Sequence, residues 1–259
     1  MNKDIKKIIF TIYFYIVPQK NASYRYKFSR ILTNIKFYFK KLISGSSYHL
    51  SSDEIAQRNR GDSTIELNEN VIQKQFEILK RYEDFISNTL LKQDTSKTIL
   101  DVGSREGSLL MNLKEIGYKS VTGFEVVPDW VKYCHQKGMD YIHEINLLEV
   151  DVTKNEKYDI VFSRHTLEHV DRTKLFFDKL VGLIKPKGIL FIVFPINKRP
   201  NFKHPSYLPS IDHIKKNFDF SKLGNVTVGR LDELEYNGIK IDLTDPREID
   251  EIVIIGTKL

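Results

Sequence analysis

Hydrophobic residues recur along this chain in two rhythms. Val71, Ile72, Phe76, Leu79, Tyr82, Phe85, Ile86 and Leu90 follow an i, i+3, i+4 spacing, which predicts a helix from about Asn70 to Leu91. Ser108 to Ile116, Pro128 to Lys137 and Asp171 to Ile184 repeat that period in shorter stretches. Between them lie short, nearly unbroken apolar runs. Thr98 to Gly103, Val121 to Val126, Tyr141 to Leu147, the run opening at Tyr158, and Ile189 to Phe194 read as strands, with Lys185-Pro186-Lys187-Gly188 as a turn before the last of these. Val226 to Leu231 and Ile252 to Lys258 close the series. Strands alternating with helices predict an α/β domain. Strands apolar on both faces predict a mostly parallel sheet with helices on both sides.

The beginning of the chain has a different character. Ile8 to Val17 is a ten-residue apolar run, too short for the roughly 20 residues that span a bilayer, and no small-residue cleavage site follows it. From Tyr24 to Ser44, Phe28, Ile31, Leu32, Ile35, Phe39 and Leu42 recur at helical spacing among Arg25, Lys36, Lys40 and Lys41. That pattern predicts a basic amphipathic helix, and Ser44 to Ser47 reads as a linker. Two uses fit such a helix: packing on the core with its basic side in water, or peripheral attachment to an anionic membrane surface. The organisation expected is a basic segment over 1–50, a helical extension over 51–97 and the main domain over 98–259.

Composition narrows the classes further. With 41% hydrophobic and 29% charged residues among 259, the chain is globular rather than disordered or membrane-embedded. Residues 1–50 hold ten Lys and Arg against one acid, Asp4, so the net charge of +6 belongs to that segment and the remainder is slightly acidic. A uniformly basic nucleic-acid surface is therefore not expected. The single cysteine, Cys134, excludes an internal disulfide framework and a multi-cysteine zinc site. It fits a reducing compartment, so the expected location is cytoplasmic, with peripheral attachment to the inner face of the membrane as one use of the basic segment.

The chemistry concentrates after the first strand. Asp101-Val102-Gly103-Ser104-Arg105-Glu106-Gly107 is a strand end, a glycine loop and a helix start, an arrangement that cradles nucleotide cofactors. The dinucleotide fingerprint G-x-G-x-x-G fails, because the spacing is Gly103-x-x-x-Gly107. Glu125 and Val126 end the second strand, where an acid can accept hydrogen bonds from both ribose hydroxyls. With its acid and flanking glycines, this stretch resembles the first motif of the class I S-adenosylmethionine-dependent methyltransferases. Arg105 stands where a middle glycine is usual. A second resemblance, to the small-molecule branch of that superfamily, runs from Tyr158-Asp159 through Ser163-Arg164-His165-Thr166-Leu167-Glu168-His169-Val170.

The resemblance implies a Rossmann-like, mostly parallel seven-stranded sheet with an antiparallel last strand and a helical N-terminal extension. It implies S-adenosylmethionine as cofactor, held by Asp101, Gly103, Ser104, Arg105, Gly107, Glu125 and Val126. Asn146 and Leu147 would meet the adenine, and Ser163 and Arg164 the methionine end. The expected reaction is methyl transfer to a small-molecule, sugar or lipid-linked acceptor, with His165 as general base and His169 and His204 behind it. Asn197 to Tyr207, basic, aromatic and proline-rich, reads as an acceptor lid or an ordinary surface loop.

Three other readings compete with this one, the first of which the context argues against. His165-x-x-Glu168-His169 also matches the H-x-x-E-H pattern of a zinc protease group, but no third ligand helix follows, so no metal is expected. A non-catalytic module keeping the cofactor pocket is the second, and a nicotinamide-dependent oxidoreductase the third. Base methylation of nucleic acid is disfavoured, because Ser163-Arg164-His165-Thr166 is not the (D/N/S)-P-P-(Y/F) motif of amino-directed DNA methyltransferases.

Overall fold

The computed structural model describes residues 69–200, 204–236, 238–240, 243 and 250–259. The basic helix and linker expected within residues 1–50, and the chain up to residue 68, lie outside the described residues. No helix among the described residues is long and apolar enough to cross a membrane.

Seven strands form one sheet in the spatial order β3-β2-β1-β4-β5-β9-β6. They are β1 (Ile99–Val102), β2 (Val121–Glu125), β3 (Ile142–Glu144), β4 (Tyr158–Arg164), β5 (Ile184–Pro195), β6 (Leu223–Arg230) and β9 (Glu251–Lys258). A separate two-stranded ribbon pairs β7 (Glu235–Tyr236) with β8 (Ile239–Lys240). β1, β2, β3, β4 and β5 pair in parallel, while β9 runs antiparallel between β5 and β6. The α/β sheet expected from the alternating pattern is present, with its antiparallel last strand. The helices are α1 (Glu69–Asp84), α2 (Ser108–Glu115), α3 (Pro128–Gln136), α4 (Thr173–Gly182) and α5 (Ile211–Asn217).

Both faces of the central strands are buried, because helices cover both. Ile99, Ile160, Phe162, Phe191 and Val193 share one core with Tyr82 of α1, Leu109, Leu110 and Leu113 of α2 and Val131 of α3. Helix α1 passes through a wider π-helical turn at Phe85–Leu90 and is built into this core. The Tyr82 ring lies 5.7 Å from Phe162 and 6.0 Å from Phe191, and Phe85 meets Phe191 edge-on at 5.4 Å. Alternation along the strands sends Leu100, Val161 and Leu190 to the opposite face. Phe176, Phe177 and Leu180 of α4 are buried outside the first core, with Phe177 stacked on Phe218 at 4.8 Å.

The sequence rhythm was less informative about boundaries. The turn expected at Lys185–Gly188 lies inside β5. The strand starts at Ile184, is interrupted by a left-handed residue at Lys187, and resumes in a shifted register against β4. The interruption is held from below. Lys185 donates to Asp159 at 2.8 Å, and Asp159 also accepts from the backbone and hydroxyl of Thr98 at 2.9 and 2.7 Å. Partial burial works against the Asp159 charge, yet the Lys185 ammonium and the Thr98 donors outweigh it and hold the carboxyl well below its ordinary range. The amino ends of β1, β4 and β5 are thus tied to one charge. The third strand is shorter than expected, because Asn146 caps a 3₁₀ turn over Leu147–Glu149. Helix α5 opens on a local sequence signal of its own: Ser210 accepts from the His213 backbone at 3.2 Å as an N-cap.

This strand order determines where ligands go. From β1 the chain moves to β2 and β3 on one side, then crosses back to β4 on the other, so connections leave β1 and β4 in opposite directions. Ligands of open α/β sheets bind beyond the carboxyl ends at that switch point. Because β9 is antiparallel, its first residue, Glu251, also lies at this end, beside Pro195 at the end of β5.

Candidate active site

A cleft of about 490 Å³ opens at the carboxyl ends of β1, β2 and β4. Twelve of the fourteen residues expected at the site line it: Asp101, Gly103, Ser104 and Arg105; Glu125 and Val126; Asn146 and Leu147; and Arg164, His165, His169 and His204. Gly107 and Ser163 do not. Ser163 is buried in the sheet, where its hydroxyl donates to the Val102 carbonyl at 2.9 Å and ties β4 to β1. Gly107 starts α2 in a left-handed conformation.

The floor of the cleft is the contact between the turns after β1 and β4. Gly103 has φ +85°, and a Cβ there would stand 2.0 Å from the Thr166 hydroxyl oxygen. That hydroxyl donates to the Val102 carbonyl at 3.1 Å. Arg105 adopts φ 45°, the left-handed region that favours glycine, which accounts for a glycine being usual at this place. Its side chain turns aside, with the guanidinium 5.1 Å over the Trp130 ring and Nε 3.5 Å from Glu106. The loop therefore closes despite the arginine.

Glu125 organises the next wall. Its Oε1 accepts from the backbone of Val126 and Val127, each at 2.8 Å, and its Oε2 accepts from the Arg105 backbone at 2.9 Å. Burial raises the carboxyl above its ordinary range while these three N–H groups pull it back. A carboxylate has about four lone-pair directions. Three are taken, so one acceptor position on Oε2 remains for a ligand hydroxyl, rather than one for each of two. Asp101 and Glu106 are also buried in the cleft wall. Burial, followed by repulsion from Glu106 and Glu125, pushes the Asp101 carboxyl up to about 8. Ser104 Oγ is buried without a hydrogen-bond partner among the described residues, and Glu106 Oε2 meets only the Arg105 Nε at 3.5 Å. Three buried carboxyl groups and one unpartnered hydroxyl make a cradle suited to a cationic, polar ligand.

Asn146 accepts from the Leu148 backbone at 3.1 Å and donates to Glu149 at 3.1 Å, so its amide shapes the turn that presents Leu147 and Leu148 to the cleft. Cys134 lies behind the loop, bonded to the Arg105 carbonyl at 3.3 Å. Burial pushes its thiol up to about 12, which makes it inert.

The β4 side carries the histidines. His165 takes φ 52° directly after the strand, and its Nε2 meets the carboxylate of Glu251. Arg164 reaches the same Glu251 oxygen at 3.6 Å and lies 5.3 Å over the Tyr82 ring. The His169 ring meets that of His204 edge-on at 4.6 Å, and both line the cleft. Because His165 sits in a left-handed turn and His169 in the 3₁₀ turn that follows, H-x-x-E-H does not form one helical face. Among the described residues no group of three His, Cys, Asp or Glu side chains is arranged to hold a metal ion. Of the cleft residues that the sequence reading missed, Trp130, Phe176 and Leu79 carried only a helical-spacing signal, which any core helix shares.

Comparison with known proteins decides the family. Residues 73–221, more than half of the chain, match the family model described as a methyltransferase domain. The chain belongs to that methyltransferase family. Its cofactor is S-adenosylmethionine. Over 129 residues the methyltransferase chain is 25% identical to the mitochondrial ubiquinone biosynthesis O-methyltransferase of Dictyostelium discoideum, a match covering 44% of this chain and 40% of that one. Over 131 residues it is 31% identical to the rat mitochondrial enzyme of the same name, covering 44% and 37%. The match thus spans less than half the length of these relatives. In fold, the chain is similar to the Burkholderia thailandensis 1,6-didemethyltoxoflavin-N1-methyltransferase with bound S-adenosylhomocysteine, at TM-score 0.55 and 16% identity over 82% of this chain and 92% of that one. It is similar also to the Synechocystis magnesium protoporphyrin IX methyltransferase with bound S-adenosylmethionine, at TM-score 0.53 and 14% identity over 90% and 96%.

The cleft fits the cofactor. A sulfonium and an ammonium are cations, and the buried carboxyl groups of Asp101, Glu106 and Glu125 are groups whose ionised form such a cation would favour. The open Glu125 position suits a ribose hydroxyl, and the unpartnered Ser104 hydroxyl offers a further polar contact.

Two measurements check this site. Glu125→Gln keeps the shape but loses a charge-assisted bond of about 1.5–3 kcal/mol, so calorimetry should show S-adenosylhomocysteine binding weakened by roughly 10-fold to 100-fold. Unchanged affinity in the folded variant would refute the ribose assignment. The second measurement concerns pH. Asp101 is raised in the folded state from about 3.9 when unfolded to about 8. Its contribution to stability is therefore fully present below about pH 4 and lost as pH rises towards 8. Asp101→Asn should gain on the native protein in cofactor-free thermal melts as pH is raised from 5 to 8, by up to about 1.4 kcal/mol per pH unit. A difference that does not change with pH would mean that Asp101 is already ionised in the fold.

Proposed function

We propose that this methyltransferase transfers its methyl group to a hydroxyl of a small acceptor, an alcohol or phenol, bound on the His165 side of the cleft. The observation that carries the reading is the placement of a histidine cluster opposite Glu125. β2 and β4 flank β1, so Glu125 and His165 stand two strand spacings apart, on the order of 10 Å. That separation suits a donor held at one wall and an acceptor at the other. The printed function of the Dictyostelium and rat relatives, O-methylation in ubiquinone biosynthesis, supports a hydroxyl as acceptor.

S-adenosylmethionine supplies an electrophilic methyl carbon. The chain supplies positioning for in-line displacement, and a place for the acceptor's proton. Asp101, Glu106 and Glu125 hold the cationic donor, and His165 takes the hydroxyl proton as the new O–C bond forms. His169 and His204 stand by the acceptor. The test is an acceptor screen with radiolabelled S-adenosylmethionine, comparing phenols, catechols and sugar alcohols with amines and thiols. Label should enter the hydroxyl compounds, and His165→Ala should lower kcat by about 10²–10⁴-fold. Label entering only amines or thiols would overturn the assignment.

We propose further that the basic segment 1–50 attaches the enzyme to anionic membrane without spanning it. The support is ten basic residues against one acid, interleaved with aromatic and aliphatic side chains at helical spacing. Near an anionic leaflet each Lys or Arg contributes about 1 kcal/mol. The full chain should sediment with phosphatidylserine vesicles in low salt and be released at 1 M salt, where the screening length is about 3 Å. Lys36→Gln, Lys40→Gln and Lys41→Gln together should weaken the attachment. Full chain remaining in the supernatant with anionic vesicles would show that the helix packs on the protein instead.

A further inference from the structure

Glu251 has no place in the sequence motifs, yet its carboxylate is fully buried at the carboxyl end of the sheet, at 1% side-chain exposure. It opens the antiparallel strand β9, opposite Pro195 of β5, and reaches across to the residues that follow β4. There one oxygen, Oε1, serves two groups: the Nε2 of His165 and the guanidinium of Arg164 at 3.6 Å. Its second oxygen, Oε2, has no hydrogen-bond partner among the described residues. Burying a carboxylate this deeply is costly unless something needs its charge.

We infer that Glu251 is a positioning residue that holds His165 as the Nε2–H tautomer, leaving Nδ1 as the basic atom. This rests on the reading of His165 as general base. The argument is one of donors and acceptors. A carboxylate only accepts, so the imidazole nitrogen facing it must carry the proton. A neutral imidazole has one N–H, so the other nitrogen keeps the lone pair. The groups beside the pair are Arg164 from β4, which balances the carboxylate, and the neutral Tyr82 from α1 under the guanidinium. In the transfer, an acceptor oxygen lone pair forms the O–CH₃ bond while the S–CH₃ electron pair returns to sulfur. The hydroxyl proton moves to Nδ1, and the imidazolium so formed lies against the Glu251 charge. The carboxylate is thus worth more after proton transfer than before it, which is what a rate effect requires. The left-handed turn at His165 makes this meeting feasible, by redirecting the chain as soon as β4 ends.

The experiment has two arms on the full chain. In ¹⁵N-histidine NMR, with His165→Asn identifying the signal, His165 should show a protonated Nε2 and an unprotonated Nδ1. Glu251→Gln, whose amide can also donate, should change that pattern. In methyl transfer from labelled S-adenosylmethionine to catechol, Glu251→Gln should lower kcat at least tenfold, with KM for the donor and S-adenosylhomocysteine affinity within twofold. Glu251→Asp should recover part of the rate. In a His165→Ala background, Glu251→Gln should cost nothing more, because the carboxylate acts through a ring that is gone. An Nδ1–H tautomer in the native protein, or an equal loss with and without His165, would overturn the inference and leave Glu251 as a counter-ion for Arg164. If His165→Ala itself leaves kcat unchanged, the base reading of His165 fails, while the NMR arm still decides the tautomer.

Discussion

The touching of two turns governs this molecule. Gly103, after β1, and Thr166, after β4, approach so closely that no side chain fits at 103. The Thr166 hydroxyl then bonds back to the Val102 carbonyl beneath them. This contact sets the floor of the cleft and the height of both walls. On one side it fixes the loop that gives the Arg105 N–H to Glu125. On the other it fixes the point at which His165 leaves β4. A glycine is needed because the backbone takes φ +85° and because the neighbouring hydroxyl occupies the space of a Cβ.

Around that floor the protein gathers buried carboxyl groups at one wall and balances charge at the other. Asp101, Glu106 and Glu125 are all nearly inaccessible, and their mutual repulsion adds to the burial that pushes Asp101 up to about 8. Such a cluster is unfavourable for the empty fold and favourable for a cationic ligand, so stability given up in the apoprotein becomes binding. Across the cleft, Glu251 meets a guanidinium and an imidazole, and Arg164 is itself seated on the Tyr82 ring. That side is nearly neutral.

The helix before the first strand belongs to this arrangement. The Tyr82 ring lies under Arg164 and also contacts Phe162 and Phe191 in the sheet. Leu79, one turn earlier, reaches the cleft wall. A segment that reads as an appendage in the linear chain therefore contributes to the core on which the β4 side of the cleft rests. The hydrophobic period announces such a helix but says nothing of which sheet face it covers.

Local features were legible from the sequence by itself. The apolar period set the helices and strands, since burial of one face or of both leaves its spacing in the chain. The turn chemistry of Asp101 to Gly107 and the acid at Glu125 announced a nucleotide cradle, because those needs are met within a few consecutive residues. What the sequence could not decide was long-range. Ser163 and Gly107 match the family pattern yet serve the sheet and a helix start: Ser163 because neighbours along a strand face opposite ways, Gly107 because the helix N-cap there takes a left-handed backbone. The one open acceptor position on Glu125 depends on the Arg105 backbone, twenty residues before it. Glu251 joined the site only because an antiparallel strand returns its first residue to the carboxyl end of the sheet, 86 positions from His165. Tertiary structure alone made that pairing, because strand direction, rather than sequence distance, determines which ends meet.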